Sequence, residues 1–231
     1  MPTLRVLSPL ILFSPLWLMS PANAADRDDI EKLLRTNQCQ ECDLKEADLT
    51  GKNLQNADLS EADLSNANLA GANLAGANLS KAKLPEANLS DTNLVEANLS
   101  NANLTTANLR NTNLTRANLN TAILLFADLL DATLTEANLE NATLGSAKLG
   151  GADLHKANLN YAKFGRANLR GADLSEASMV VAKLRFANLS YANLSQVNLE
   201  GADIAGAKMD WSHLDEANLE NANLSNANLS D

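Results

Sequence analysis

Hydrophobic side chains recur at every fifth residue along most of this chain. Leu occupies 34 of 38 consecutive positions spaced by five from Leu44 to Leu229, without an insertion. Ala occupies 32 of the positions two residues earlier, and Asn or Asp fills 28 of the positions between Ala and Leu. A period of five fits neither the 3.6-residue repeat of a helix nor the two-residue alternation of a strand. The pattern therefore indicates a repeat architecture in place of a conventional core.

Each five-residue unit combines a short extended side with a corner. Along Ala-Asn-Leu, an extended backbone turns Ala and Leu to one face and the polar residue to the other. The next two residues, such as Ala-Gly in NANLAGANLAGANLS (66–80), have turn chemistry, and Asx side chains can bond to nearby backbone. Because successive sides bend the same way, the chain is predicted to form stacked coils about 4.8 Å apart, with Leu and Ala inside.

The outward residues predict four sides per coil. At a spacing of 20 residues, the second of the two residues in the corner alternates in charge through Glu96, Arg116, Glu136, Lys156 and Glu176. Ion pairs between stacked coils would produce this alternation, and a spacing of 15 residues does not show it. The 38 units then make about 9.5 coils with a height of about 45 Å. We predict an all-β solenoid with quadrilateral coils.

The unbroken A-(D/N)-L-x-x pattern over residues 42–231 resembles the pentapeptide repeat family. The segment CDLKEADLTGKNL (42–54), which follows an exported N-terminus, resembles in particular exported or lumenal cyanobacterial members. The resemblance implies a right-handed quadrilateral β-helix. It also implies an alternative function, because some members of the family mimic DNA and bind gyrase.

The first 24 residues differ in kind from the repeats. Arg5 precedes an apolar run from Val6 to Met19, and the segment ends in an A-x-A site, which together predict a signal peptide at residues 1–24. An uncleaved anchor helix is the alternative, but the run is shorter than about 20 residues and contains two prolines. We therefore expect export to the periplasm or the thylakoid lumen, with no membrane contact after cleavage.

The two ends of the solenoid need protection of their apolar interior. Residues 25–41 are predicted to form an N-terminal cap, in which DRDDIEKLLRT (26–36) is a helix with Ile30, Leu33 and Leu34 on the face that covers the first coil. The last residues, NLSNANLSD (223–231), still follow the repeat. Either their small polar edge suffices, or the protein forms a homodimer through this C-terminal end.

Cys39 and Cys42 form a CxxC motif, the one reactive-looking motif in the sequence. We consider a structural disulfide, buried free thiols and a redox-active thiol pair. The disulfide is favoured because both residues keep an inward phase, and because the motif follows the predicted helix instead of preceding it. A zinc site would require further Cys or His ligands.

No catalytic, cofactor-binding or metal site is expected, so we predict that the chain is not an enzyme. His155 and His213 are the only histidines, and we expect neither to have a serine or cysteine nucleophile in phase with it. The sequence contains no GxGxxG motif and no P-loop.

Departures from the repeat give a candidate partner-binding surface. Its outward residues are Ile123, Leu125, Phe126, Leu130, Tyr161, Arg166, Val181, Phe186, Tyr191 and Trp211. Exposed aromatic side chains beside arginine are typical of protein-binding patches, although scattered apolar surface residues are also ordinary.

The sequence thus predicts a rod-like scaffold that binds an unknown protein partner and no nucleic acid. Residues 43–231 contain 23 acidic and 14 basic residues. Their net charge amounts to about one per 5 Å, against about one per 1.7 Å in duplex DNA, and export would separate the protein from gyrase. A DNA-mimicking gyrase-binding protein is therefore the first alternative, and a CxxC thiol–disulfide protein is the second.

Overall fold

The computed structural model describes residues 25–230, and the predicted signal peptide lies outside them. One α-helix, α1 (Arg27–Thr36), precedes a solenoid in which the middle residue of each side pairs in parallel with the residue 20 positions later. These pairings run from Gln38 with Asp58 to Lys208 with Asn228, and within the described residues every bridge is a single residue long. The predicted four-sided coil of 20 residues is confirmed.

Every corner is a tight turn closed by a backbone hydrogen bond. The N–H of Ala77, for example, donates to the carbonyl oxygen of Leu74 at 3.0 Å. At all 38 corners between Glu41 and Asn226 the residue before the inward Ala position has a positive φ, which is the signature of a type II turn. Only seven of these residues are glycine, so most corners hold a side chain in the left-handed region.

Backbone and side-chain ladders join the coils. Leu74 N–H donates to the carbonyl of Asn93 at 2.7 Å, and Asn93 N–H donates back to Ala72 at 3.0 Å. Asn98 donates its side-chain amide to Asn78 Oδ1 at 3.2 Å, and the same oxygen accepts the N–H of residue 80 at 3.2 Å. An amide both donates and accepts, whereas a carboxylate only accepts, which explains why Asn dominates the sides.

The interior is a continuous column of Leu and Ala. The inward Leu and Ala positions are buried from Leu44 to Met209. The exception is Lys52, which replaces Ala in the first coil and is exposed. Where Thr replaces Ala, its hydroxyl donates to a carbonyl of the preceding coil, as Thr112 does to Leu89 at 2.7 Å. Among the described residues, every buried side-chain nitrogen and oxygen has a hydrogen-bond partner.

The predicted helix α1 covers the first coil. Asp26 caps it by accepting the N–H of Asp28 at 2.9 Å, Leu33 is fully buried, and Ile30 packs on the core. Leu34 was expected on the same face and is instead 47% exposed. A helix advances about 100° per residue, so only a narrow stripe centred on Leu33 faces the coil. Among residues 25–230, no helical segment has the length and apolar character that a membrane span requires.

Candidate interaction surface

Large exposed hydrophobic residues are concentrated in one stretch of the solenoid. Seven of the nine in the described chain lie between residues 123 and 211, and none lies between 43 and 122. They are Ile123, Phe126, Tyr161, Val181, Phe186, Tyr191 and Trp211. Leu125 and Leu130 also point outward but are half-buried, because each side chain lies over a glycine of the next coil.

Apart from Ile123, which lies on a side, the 20-residue coil distributes these side chains over three corners. Tyr161 and Val181 stack on the first corner, Phe126, Arg166 and Phe186 follow the second, and Tyr191 and Trp211 lie on the third. Residues 123–130 and 161–211 are separated along the axis by the coil of residues 141–160, so the two groups share corner columns without stacking directly on each other.

The third corner carries a stack of aromatic rings, as the 20-residue spacing requires. The centroids of Tyr191 and Trp211 are 6.5 Å apart with an interplanar angle of 10°, and Arg170 Cζ lies 4.3 Å from the Tyr191 centroid. Trp211 remains 56% exposed. A cation over an aromatic face stabilises the pair, so the corner presents an ordered ring to solvent.

The second corner presents Phe186, which is 57% exposed. Its ring covers Gly206, where an added Cβ would lie 2.6 Å from the ring carbons. Arg185 Cζ lies 5.7 Å from the ring centroid, and its guanidinium pairs with Asp203 at 3.4 Å. Phe186 is thus held in place by its neighbours and still offers most of one face.

Six of the seven exposed apolar residues occupy the corner position with positive φ. Val181, with φ of 56°, is β-branched, and such residues rarely adopt this conformation. The left-handed region costs roughly 1–2 kcal/mol per residue for a side chain other than glycine. The solenoid does not need large apolar groups at these positions, because other corners hold Gly, Asn or Glu.

Charge is segregated between opposite sides in residues 141–190. The three acidic residues, Asp153, Asp173 and Glu176, lie on one side and its following corner. Six of the seven basic residues, Lys148, Lys163, Arg166, Arg170, Lys183 and Arg185, lie on the other half of the coil, around the second corner. The aromatic and basic residues therefore share one half of the surface.

Several other stacked residues of opposite charge form ion pairs. In the predicted column of alternating charges, Arg116 pairs with Glu96 at 2.7 Å and Lys156 with Glu176 at 3.4 Å. Lys81 pairs with Glu61 at 2.7 Å, and this hydrogen bond raises the pKa of Lys81.

Cys39 and Cys42 are joined by a disulfide, with their Cα atoms 5.2 Å apart across the first corner. Both residues are buried beneath α1, and Lys32 Nζ lies 3.7 Å from Cys42 Sγ. The Asp29 carboxylate accepts the N–H of Asp43 at 2.9 Å and so ties the helix to the same coil. Although Asp29 and both sulfurs lie close together, disulfide sulfurs are not thiolate ligands for a metal.

The expectation that no serine is in phase with His155 is wrong. Ser175 lies one coil away, with its Oγ 2.9 Å from His155 Nδ1. The Ser175 hydroxyl donates to Asp173 at 2.6 Å, so the imidazole nitrogen faces the oxygen of a hydroxyl whose proton is already engaged. A nucleophile needs its hydroxyl proton directed at the base, and this arrangement does not activate Ser175.

Comparison with known proteins agrees with this geometry. The family model described as pentapeptide repeats matches the chain in eight copies between residues 38 and 231. No curated protein sequence matches the chain.

Three solved structures are among those similar to this chain. HetL, a pentapeptide repeat protein involved in heterocyst differentiation regulation from the cyanobacterium Nostoc sp. strain PCC 7120, is 36% identical, with 87% of this chain and 96% of HetL covered and a TM-score of 0.41. QnrB1, a plasmid-mediated fluoroquinolone resistance protein, is 18% identical over 80% of this chain and 84% of its own, with a TM-score of 0.54, and so shares the fold. A pentapeptide repeat protein from the Arabidopsis thaliana thylakoid lumen is 26% identical over 43% of this chain and 66% of its own, with a TM-score of 0.34. This chain belongs to the pentapeptide repeat family, whose fold is a right-handed β-helix.

Proposed function

We propose that the protein is a non-enzymatic, exported scaffold of the periplasm or thylakoid lumen that binds another protein through its exposed aromatic corners. One observation carries the proposal: seven of the eight large exposed apolar residues of the described solenoid lie between residues 123 and 211, and six of these seven occupy corner positions with positive φ. Every corner needs the left-handed conformation, but β-branched and aromatic residues there add a local cost that Gly, Asn or Glu avoid at other corners, and such strain clusters at functional positions. Aromatic side chains flanked by arginine are the residues that dominate protein interfaces.

The two alternative functions have weaker support. A DNA mimic needs closely spaced carboxylates, whereas the sides of this solenoid are filled largely by Asn amides bonded to one another. A thiol–disulfide protein needs an accessible sulfur, whereas Cys39 and Cys42 are 0% and 3% exposed.

Self-association through the C-terminal end is a separate part of the proposal. In the last described coil the inward residues Leu214, Leu219 and Leu224 are only partly buried, and Leu229 is 45% exposed. A second copy would cover this apolar surface. Sedimentation should then give a dimer that Leu219→Lys converts to monomers, and a wild-type monomer at high protein concentration would contradict it.

The partner surface is tested by affinity capture with single variants. Proteins from the exported fraction would be captured by immobilised wild type, Phe186→Ala and Trp211→Ala. Leu34→Ala is the matched control, because it removes an exposed apolar residue outside the surface. We expect Phe186→Ala or Trp211→Ala to lose a specific partner that Leu34→Ala retains, and the affected variant identifies the corner used. Identical capture by all four proteins would refute the proposal.

A further inference from the structure

Lys163 and Lys183 break the charge pattern of the solenoid. They are directly bridged, and they form the one bridged pair of two cations among the described residues. Like charges placed opposite each other on a sheet destabilise it. Both side chains are exposed, and no carboxylate of the described residues lies within ion-pairing distance of either.

A comparable pair of acidic residues is neutralised within the chain. Asp43 and Asp63 are also bridged, but Lys45 Nζ lies 3.1 Å from one carboxylate and 3.6 Å from the other. These contacts raise the pKa of Lys45, chiefly through its hydrogen bond to Asp43. The fold can therefore compensate stacked like charges, and at Lys163 and Lys183 it does not.

The nearest acidic residue on this side is already engaged. Asp203 is bridged to Lys183, but its carboxylate pairs with Arg185 at 3.4 Å and accepts the Asn223 amide at 3.1 Å. Asp153 and Asp173 lie on the opposite side of the coil. An anion placed over Lys163 and Lys183 would therefore have one neighbouring carboxylate, Asp203, whose charge is already paired with Arg185.

Apolar groups border the two lysines on both sides. Tyr161 and Val181 precede them on the first corner, 49% and 42% exposed, and Phe186 follows on the second corner. This side of the coil therefore presents two ammonium groups flanked by exposed apolar residues on the adjacent corners. We propose that it binds an extended acidic segment of a protein partner, whose carboxylates pair with Lys163 and Lys183 while apolar side chains pack on Tyr161, Val181 and Phe186. This inference rests on the proposed function and specifies the chemistry of the partner.

A polypeptide fits these features better than a nucleic acid. In an extended segment, successive side chains point to opposite faces. Its carboxylates can therefore contact the two lysines while its apolar side chains contact the bordering apolar residues. Nucleic-acid binding is dominated by many phosphate contacts, whereas this chain has a net charge of −10 and few uncompensated cations on this side.

The test uses one charge reversal with a matched control. Lys163→Glu places a carboxylate opposite Lys183, so it should leave the melting temperature equal or higher while removing the binding site. Lys52→Glu makes the same change at an exposed lysine in the first coil. A displayed library of random 12-residue peptides would be selected on wild type and on both variants, and the enriched peptides would be measured by calorimetry.

Wild type and Lys52→Glu should enrich peptides in which Asp or Glu alternates with apolar residues, and Lys163→Glu should bind them at least about tenfold more weakly. Enriched peptides without acidic residues, equal binding by Lys163→Glu, or no enrichment would overturn the inference. Tighter lysine-dependent binding of polyphosphate or a DNA 12-mer would also overturn it. If peptides bind through Phe186 or Trp211 but not Lys163, the proposed function stands and the acidic-segment inference fails.

Discussion

Two stretches of the solenoid, residues 43–120 and residues 121–211, are alike inside and different outside. Both are filled by the same column of buried Leu and Ala. The first stretch has no large exposed hydrophobic residue, and the second has seven. In the first stretch, local hydrogen bonds raise the pKa of Lys45 and Lys81 and lower the pKa of Asp48, Asp58 and Asp63.

The comparison shows that stability and recognition are carried by different positions of the same repeat. The inward positions are interchangeable between the stretches, because each Leu meets the same neighbours in the coils on either side. The outward positions vary more, because they do not contact the interior, although the Asn ladders on the sides still join neighbouring coils. A mutation at an inward position should therefore act mainly on stability, whereas one at an outward position can change binding as well.

The largest expected effect tests whether the two interiors are equivalent. Leu74→Ala in the first stretch and Leu174→Ala in the second each remove a fully buried side chain. Each should lower the free energy of unfolding by about 2–5 kcal/mol, since the rigid column leaves a cavity. Denaturant unfolding measures both, and a marked destabilisation in only one stretch would show that the interiors differ.

A smaller effect is expected from the disulfide, and it should be confined to the first stretch. Reducing Cys39–Cys42 should cost about 2 kcal/mol, because the closed loop is short. Hydrogen exchange should accelerate in the first coil and stay unchanged beyond residue 121. The Cys39→Ala/Cys42→Ala variant should not respond to reductant. Equal loss of protection along both stretches would contradict the prediction.

A corner substitution should separate stability from binding. Val181→Asn should raise the free energy of unfolding by about 1 kcal/mol, because Asn tolerates the left-handed region better than a β-branched residue. Thr106→Asn is the matched change in the first stretch, at φ of 58°. Both variants should melt at a higher temperature, and only Val181→Asn should lose captured partner. Unchanged capture would exclude this corner from the interface.

The smallest effect is a pH dependence that belongs to the first stretch. Hydrogen bonds from the Ser60 hydroxyl and backbone hold the pKa of Asp58 below its ordinary value of 3.8, and Thr50 does the same for Asp48. Since the folded carboxylates bind protons less readily than the unfolded ones, this stabilisation is present above pH 3.8 and is lost as the pH falls through the folded pKa values. Thermal melting should show a smaller acid-induced loss in Asp58→Asn than in wild type.

Much of the fold followed from the sequence, because the five-residue period reports directly which side chains face inward. The alternating charges from Glu96 to Glu176 correctly indicated four sides, and two of those stacked pairs form ion pairs. The prediction for Leu34 was wrong because helical periodicity shows which residues share a face of the helix but not how much of that face contacts the first coil. The contact of His155 with Ser175 was missed, although the 20-residue spacing that located other stacked pairs would have found it.

The sequence by itself determined the repeat unit, the interior and the corners, because these depend on residues within a single pentapeptide. Only the tertiary structure decided which outward residues become neighbours. Tyr191 with Trp211 and Lys163 with Lys183 meet because four sides close each coil, and backbone hydrogen bonds then place residues 20 apart in register. The number of sides depends on how the whole coil closes. With four sides, the exposed aromatic residues lie on three corners, and the acidic residues of 141–190 lie on the half of the coil opposite the basic residues.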